Sequence, residues 1–202
     1  MRVLVACEES QAVCLAFRER GHEAYSCDIQ EPSGGHPEWH IRADALELLK
    51  LPWDLIIAHP PCTYMANSGA VRMRVKGKIQ PERYKKAMEA KAFFMAFYNA
   101  NCQKIAIENP TPMKLIGLPP YTQAIQPYEY GHPYSKRTCL WLRGLPPLVP
   151  TCVIADHEPY VNGGCKDAHG NYRRFQGRKE RDAKTRSKTF PGIARAMAEQ
   201  WG

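Results

Sequence analysis

The stretch Asp54-Leu55-Ile56-Ile57-Ala58-His59-Pro60-Pro61-Cys62-Thr63-Tyr64-Met65-Ala66-Asn67-Ser68-Gly69 decides the reading of the fold. Leu55 to Ala58 form an unbroken apolar run, the pattern of a short strand buried on both faces of a parallel sheet. Pro60 and Pro61 fix two φ angles and remove two donors, so the chain must leave the sheet there. Cys62 then stands at the carboxyl end of a strand, where open α/β sheets bind their ligands. A buried structural thiol is the simplest reading of a single Cys. The rigid Pro-Pro lead-in, and the polar Thr63 and Asn67-Ser68-Gly69 after it, favour a placed, reactive one.

Upstream, Arg2–Cys7 reads as a buried strand, Glu8-Glu9-Ser10 as a turn, and Ser10 as the N-cap of a helix bearing Ala12, Val13, Leu15, Ala16 and Phe17. His22–Cys27 is a second strand closed by Asp28, which opens a Rossmann-like α/β fold. Asp28 is placed either for a ribose diol or for an ordinary turn. The first turn has no glycine, and Glu8 and Glu9 repel phosphate, so a dinucleotide is not expected. A phosphate-free adenosine ligand fits better, and a sulfonium would be drawn to Glu8 or Glu9. Trp39–Ile41 is an edge-like third segment. Asp44 either caps the short helix Asp44–Lys50 or meets an adenine amino group, capping being the simpler account.

Downstream, Pro81 opens a long helix, Glu82–Asn99, with Tyr84, Met88, Ala92, Met95 and Tyr98 on its packed side, beside Phe94 and Phe97. Lys104–Ile107 is another buried strand, ending in Glu108-Asn109-Pro110. It repeats the pattern of apolar strand, polar residues and proline, which is expected to bring Cys62 and Glu108 to one rim of the sheet as nucleophile and acid/base partner, a salt-bridge role for Glu108 being the alternative. Ala124–Tyr130 and Lys136–Leu142 read as a hairpin around the loop Gly131–Ser135. Phe190–Trp201 is a closing helix.

The chain of 202 residues carries a formal charge of +8, unevenly placed. Residues 72–91 hold eight Lys/Arg against Glu82 and Glu89, and residues 172–188 hold eight against Glu180 and Asp182. Two such blocks point to a polyanionic partner, with a merely solvated surface as the alternative. No secretory pattern or membrane-length apolar run is present, so a soluble cytoplasmic protein is expected. The eight cysteines include no C-x-x-C pair and are expected as free thiols. Cys152, His157, Cys165 and His169 are four zinc-ligand types, but their spacings match no common knuckle.

Taken together, these residues resemble the DNA cytosine-5 methyltransferase family over nearly the whole chain. Pro61-Cys62 resembles its Pro-Cys nucleophile motif and Glu108-Asn109 its Glu-Asn-Val motif. Tyr130-Gly131-His132-Pro133-Tyr134-Ser135-Lys136-Arg137 is similar to its Tyr-Gly-Val-Pro-Gln-Ser-Arg-x-Arg segment, with Arg137 the nearest match to a motif arginine. The family's glycine-rich first turn is absent, and Tyr134 replaces the motif glutamine. The recognition region shrinks to about residues 151–188, as in compact cytosine-methylase-like proteins of phages and prophages. His59-Pro60-Pro61-Cys62 also superficially matches the Asp/Asn-Pro-Pro-Tyr motif of amino-methyltransferases, but lacks the acceptor and the aromatic that chemistry needs.

The resemblance implies a single domain, 1–202, with a class I S-adenosylmethionine-dependent methyltransferase fold: a mostly parallel sheet with a hairpin at one edge. It implies catalysis by Cys62, Glu108 and Arg137. Cys7, Glu8, Asp28, Asp44 and Pro60 would lie on the side of the cofactor, S-adenosyl-L-methionine, and Pro61, Asn109 and Lys136 against the substrate. The activity it implies is methyl transfer to C5 of cytosine in DNA. RNA or free-nucleotide cytosine, and a degenerate fold that only binds nucleic acid or a host protein, stand as alternatives.

Overall fold

Apolar runs with polar ends become the strands of one mixed sheet: β1 (Arg2–Ala6), β2 (Glu23–Asp28), β3 (His40–Arg42), β4 (Leu55–Ala58), β5 (Lys104–Pro110), β6 (Gln123–Ile125) and β7 (Thr138–Arg143). The structure, a computed structural model, describes residues 1–161, 163–166, 171–175 and 183–202, with the backbone alone at 163–166, 172–175 and 183–184. The strand order is β3-β2-β1-β4-β5-β7-β6. β1 to β5 run parallel, and β7 is antiparallel to both β5 and β6. This α/β arrangement is compatible with a Rossmann-like fold. The order of the strands reverses at β1 and β4, the topological switch point where such sheets bind ligands.

Alternation along each strand divides the core into two layers. Val3, Val5, Leu55, Ile57 and Ala106 face α1 (Ala12–Glu19) and the closing helix, while Leu4, Ile56, Ile105 and Ile107 face the other way. Two short helices follow in the chain, α2 (Ala45–Leu48) and α3 (Ala70–Met73), and then α4 (Pro81–Tyr98) covers that second face. Its buried side chains are Ala87, Phe94 and Phe97, whereas Ala92 and Tyr98 are exposed. Apolar residues occur all round the last turns of α4, so spacing alone did not select the packed side.

The chain ends in α5 (Ala183–Ser187) and α6 (Pro191–Trp201). Gly192 lets α6 dock: a Cβ there would stand 1.9 Å from the Tyr130 carbonyl oxygen, and its N–H donates to His132 Nε2 at 2.9 Å. Gly192→Ala is therefore expected to destabilise the fold by about 3 kcal/mol through backbone overpacking. Urea unfolding monitored by Trp fluorescence measures this, and an unchanged midpoint would contradict the docking.

Two local expectations are corrected. Ser10 does not cap α1. The N-cap is Gln11, in the left-handed region at φ 59°, and the Glu8 carboxylate instead accepts from the amides of Val13 at 2.7 Å and Cys14 at 3.1 Å. The hairpin is shorter and its loop longer than expected. Ile125 pairs with Thr138, and a 3₁₀ turn, Pro127–Glu129, lies in the connection because Pro127 fixes φ and Glu129 closes a capping box with Gln126. The seven described cysteines are free thiols, as expected. No described helix is long and apolar enough to cross a membrane.

Candidate functional site

The ends of β4 and β5 are stitched together residue by residue. Ala58 lies opposite Ile107, so His59 and Glu108 are the next pair in register, and Pro60 and Asn109 the one after. His59 N–H continues the ladder to the Ala6 carbonyl at 2.9 Å. The Asn109 side-chain amide, buried, donates to the Pro60 carbonyl at 2.8 Å. Beyond the prolines, the Cys62 carbonyl accepts from Met65 N at 3.0 Å and Ala66 N at 2.9 Å, which starts a helical turn at the thiol. Asn67 N donates to Thr111 O and Met113 N to Met65 O, both at 2.8 Å, and Arg83 of α4 reaches the Thr63 carbonyl at 3.0 Å. With two prolines and this set of bonds, Cys62 has few conformations left.

Cys62, Glu108, His59, Glu8 and Lys136 line one cavity of about 180 Å³ at the carboxyl ends of β1, β4 and β5. That is below the ~300–1,000 Å³ of pockets enclosing whole drug-sized ligands, so it accepts a single ring rather than a dinucleotide. Its far wall is Arg186 to Thr189, and Lys136 Nζ is fixed by donating to the Arg186 carbonyl at 2.8 Å. A larger hollow of about 890 Å³, around Trp53 and Lys104, lies at the opposite ends of the strands. It holds none of the candidate residues, and its Asp54 is already bound to the Arg2 amide at 2.7 Å.

The charges in the cavity are coupled. Glu108 Oε2 meets His59 Nδ1 at 3.1 Å. Burial would raise the Glu108 carboxyl, but the hydrogen bond and charge of His59, and then Lys136, hold it below its ordinary 4.5. Burial likewise opposes charge on His59, yet Glu108, and behind it Glu8, hold the imidazole above its ordinary 6.5. Burial and the Glu108 charge push the Cys62 thiol up, against the pull of Lys136, so at rest the sulfur is protonated. Burial also raises Glu8, against His59 and the two helix amides it accepts from.

The sign of these shifts sets a stability window. The raised His59 contributes fully below pH 6.5 and loses its contribution as pH climbs through its folded value. The lowered Glu108 contributes fully above pH 4.5 and loses its contribution as pH falls through its folded value. The difference in Tm between wild type and Glu108→Gln is thus expected to peak, at several degrees, between pH 4.5 and 6.5. Scanning calorimetry from pH 3 to 9 checks it, and a pH-independent difference would contradict the coupling.

The rim around Cys7 is built differently from a glycine turn. Cys7 and Gln11 both sit at φ 59°, at a cost of about 1–2 kcal/mol each for residues bearing a Cβ. Gln11 is held there by bonds to His36 N and His36 O, and a Cβ on Gly34 would stand 2.6 Å from Gln11 Cβ. The segment 33–36 therefore fills the space in which a phosphate would approach bare backbone. Around Cys7, burial and the charges of Asp28 and Asp44 drive the thiol far above its ordinary value, which places both carboxylates beside the end of β1. Asp28 Oδ1 accepts from Gln30 N at 2.9 Å, and Asp44 Oδ1 caps α2 through Leu46 N at 3.0 Å. Each carboxylate has a second oxygen with no hydrogen bond from another described residue. Acceptors without phosphate donors fit the adenosyl cofactor that the resemblance implies. Glu8 is the exception, since both its oxygens are engaged by α1 amides.

Arg137 is not brought into the cavity. Successive residues of an extended chain face opposite ways, so Lys136 enters while Arg137 turns outward to the Tyr121 hydroxyl at 2.9 Å. Asn109 and Pro60 are engaged with each other, and Pro61 lines the cavity. His59 is the site residue the sequence reading missed as a participant. Its signal is register, since the two apolar-strand-to-proline motifs align His59 with Glu108.

In the basic block 72–91, Arg72, Arg74, Lys76, Lys78, Lys85 and Lys86 are exposed. Arg74–Val75 and Lys78–Ile79 form a hairpin whose turn, Lys76-Gly77, has φ of 48° and 78°, the two-residue type that suits strand twist. Arg83 is spent internally on the Cys62 loop. In the second block Lys188 reaches the Ser33 hydroxyl at 3.2 Å. Arg178, Lys179 and Arg181 of that block, and His169 with the Cys165 side chain of the zinc-type set, lie outside the described residues. No family model and no curated protein matches the chain.

Proposed function

We propose that the protein is an S-adenosylmethionine-dependent cytosine C5-methyltransferase acting on DNA, with the class I methyltransferase fold. The observation that carries this reading is the convergence of Cys62 and Glu108 on one ring-sized cavity at the switch point of the sheet. C5 of cytosine is a poor nucleophile, and addition of the Cys62 sulfur to C6 makes it enamine-like. Glu108 holds N3 and the exocyclic amine, stabilising charge that develops on the ring. Lys136 supplies the positive charge that opposes the rise of the Cys62 thiol and lowers the cost of forming its thiolate. S-adenosylmethionine, when bound, supplies an electrophilic methyl group. Loss of the C5 proton then expels Cys62. A base in a duplex must be flipped out to reach the cavity. The exposed basic hairpin and the outer side of α4 hold phosphates, with an affinity that falls as salt rises.

Sequencing the cytosine modification of host DNA after expression tests the reading directly. Transfer of a labelled methyl group to duplex DNA, tRNA or dCMP decides the substrate class. One observation favours the non-catalytic alternative: segment 33–36 packs against the first turn. Calorimetry with S-adenosylmethionine separates the two, because the enzyme gives heat of binding and the binder none.

A further inference from the structure

We infer that His59 is a positioning residue that shares one proton with Glu108 and, through it, supplies and recovers the proton needed at N3 of the cytosine. The inference rests on the reading of Cys62 and Glu108 given under Proposed function. Its basis is geometric. His59 Nδ1 lies 3.1 Å from Glu108 Oε2, the pair is in register at the ends of adjacent strands, and both line the cavity with the sulfur. His59 Nε2 is buried and has no hydrogen-bond partner among the described residues, so nothing else competes for the ring. The charged and titratable groups that share the cavity with it are Glu108 from β5, Cys7, Glu8 and Glu9 from the turn after β1, Cys62 after β4, Lys136 before β7, and Arg186 and Lys188 in the segment before α6. Glu108, hydrogen-bonded to the ring, and Glu8 both favour the protonated imidazole.

The need for such a store follows from the charges. An ionised Glu108 accepts from the exocyclic amine but has no proton for N3, the atom that becomes basic when sulfur adds to C6. As the C6–S bond forms, Nδ1–H passes to Glu108 Oε2, and the neutral carboxyl turns to hand that same proton to N3. The imidazole is left neutral and Glu108 ionised again. The thiol proton of Cys62 goes to water. On elimination the C5 proton leaves to water, the C6–S bond breaks with its electron pair on sulfur, which takes a proton back from water, and the N3 proton returns through Glu108 to Nδ1. The pair is unchanged over a turnover.

His59→Asn keeps a donor near the Nδ1 position but cannot release a proton. Wild-type single-turnover methylation is expected to fall as pH rises past the imidazole's pKa. In His59→Asn the rate should drop about 10²-fold at pH 7.5, and the falling limb should move toward the carboxylate range, with partial recovery in acid. A purely structural role would lower the rate equally at every pH. Independently of cofactor and DNA, NMR titration should find the His59 imidazole above 6.5 and lowered in Glu108→Gln, its signal assigned by its absence from His59→Asn. An active wild type whose His59→Asn variant keeps rate and profile overturns the delivery step alone. A His59 titration untouched by Glu108→Gln overturns the shared proton, even if the Asn variant fails to fold. An inactive wild type overturns the methyl-transfer reading and the delivery step with it, whatever the titration gives.

Discussion

Cys62→Ala is expected to lose methyl transfer by at least about 10³-fold while keeping its fold and its affinity for DNA. Among the described residues lining the cavity, Cys62 is the thiol whose ionisation a lysine favours, and no neighbour is expected to replace it: Lys136 is tied to Arg186 O, and burial and the charges of Asp28 and Asp44 drive the Cys7 thiol up with no cation opposing them. Cys62 is partly buried and its sulfur makes no hydrogen bond to another described residue, whereas its carbonyl starts the turn through Met65 and Ala66. Those backbone bonds survive the change, so the loss of stability stays within about 1 kcal/mol. Turnover by the variant equal to that of wild type would remove Cys62 from the chemistry. The raised thiol adds a check on the resting state, since alkylation of Cys62 should be slow at neutral pH and quicken with alkali or with DNA bound.

Glu108→Gln is expected to lower kcat/KM by about 10²–10³-fold with a smaller change in DNA affinity. Gln is nearly isosteric and still accepts from the exocyclic amine through its amide oxygen. It lacks the negative charge that faces the N3-protonated ring and cannot carry a proton to N3. It also removes the anion that holds His59 charged, so the two effects act together and are not additive. Single-turnover rates and fluorescence-anisotropy binding separate chemistry from affinity. A variant with weakened binding and an unchanged chemical rate would make Glu108 a binding residue only.

Much of the frame was legible because burial on both faces leaves a plain record. Val3 to Val5, Leu55 to Ala58 and Lys104 to Ile107 read as strands and are strands. The two strand-to-proline junctions were legible for the same reason, and so was the meeting of Cys62 with Glu108. What was not legible depended on neighbours that the local pattern does not name. The cap of α1 comes from Glu8, which reaches forward from outside the helix, and not from the hydroxyl residue beside it. The choice of Lys136 over Arg137 turns on which of two adjacent side chains points inward. The role of His59 exists only because β5 lies beside β4 with Ala58 opposite Ile107, a register that two distant segments fix together. Segment 33–36 supports the glycine-free first turn through the bonds of His36 to Gln11, which no local pattern announces.

The central claim is that Cys62 bonds to a cytosine ring, and one measurement tests it most directly. A duplex carrying fluorine in place of hydrogen at C5 of cytosine, incubated with the protein and S-adenosylmethionine, offers no proton to lose after the methyl group arrives. The sulfur then cannot be expelled. Mass spectrometry of nuclease- and protease-treated protein is predicted to find the methylated fluoropyrimidine on the peptide containing Cys62 and on no other cysteine. An unmodified Cys62 peptide, or an adduct at any other thiol, would contradict the account.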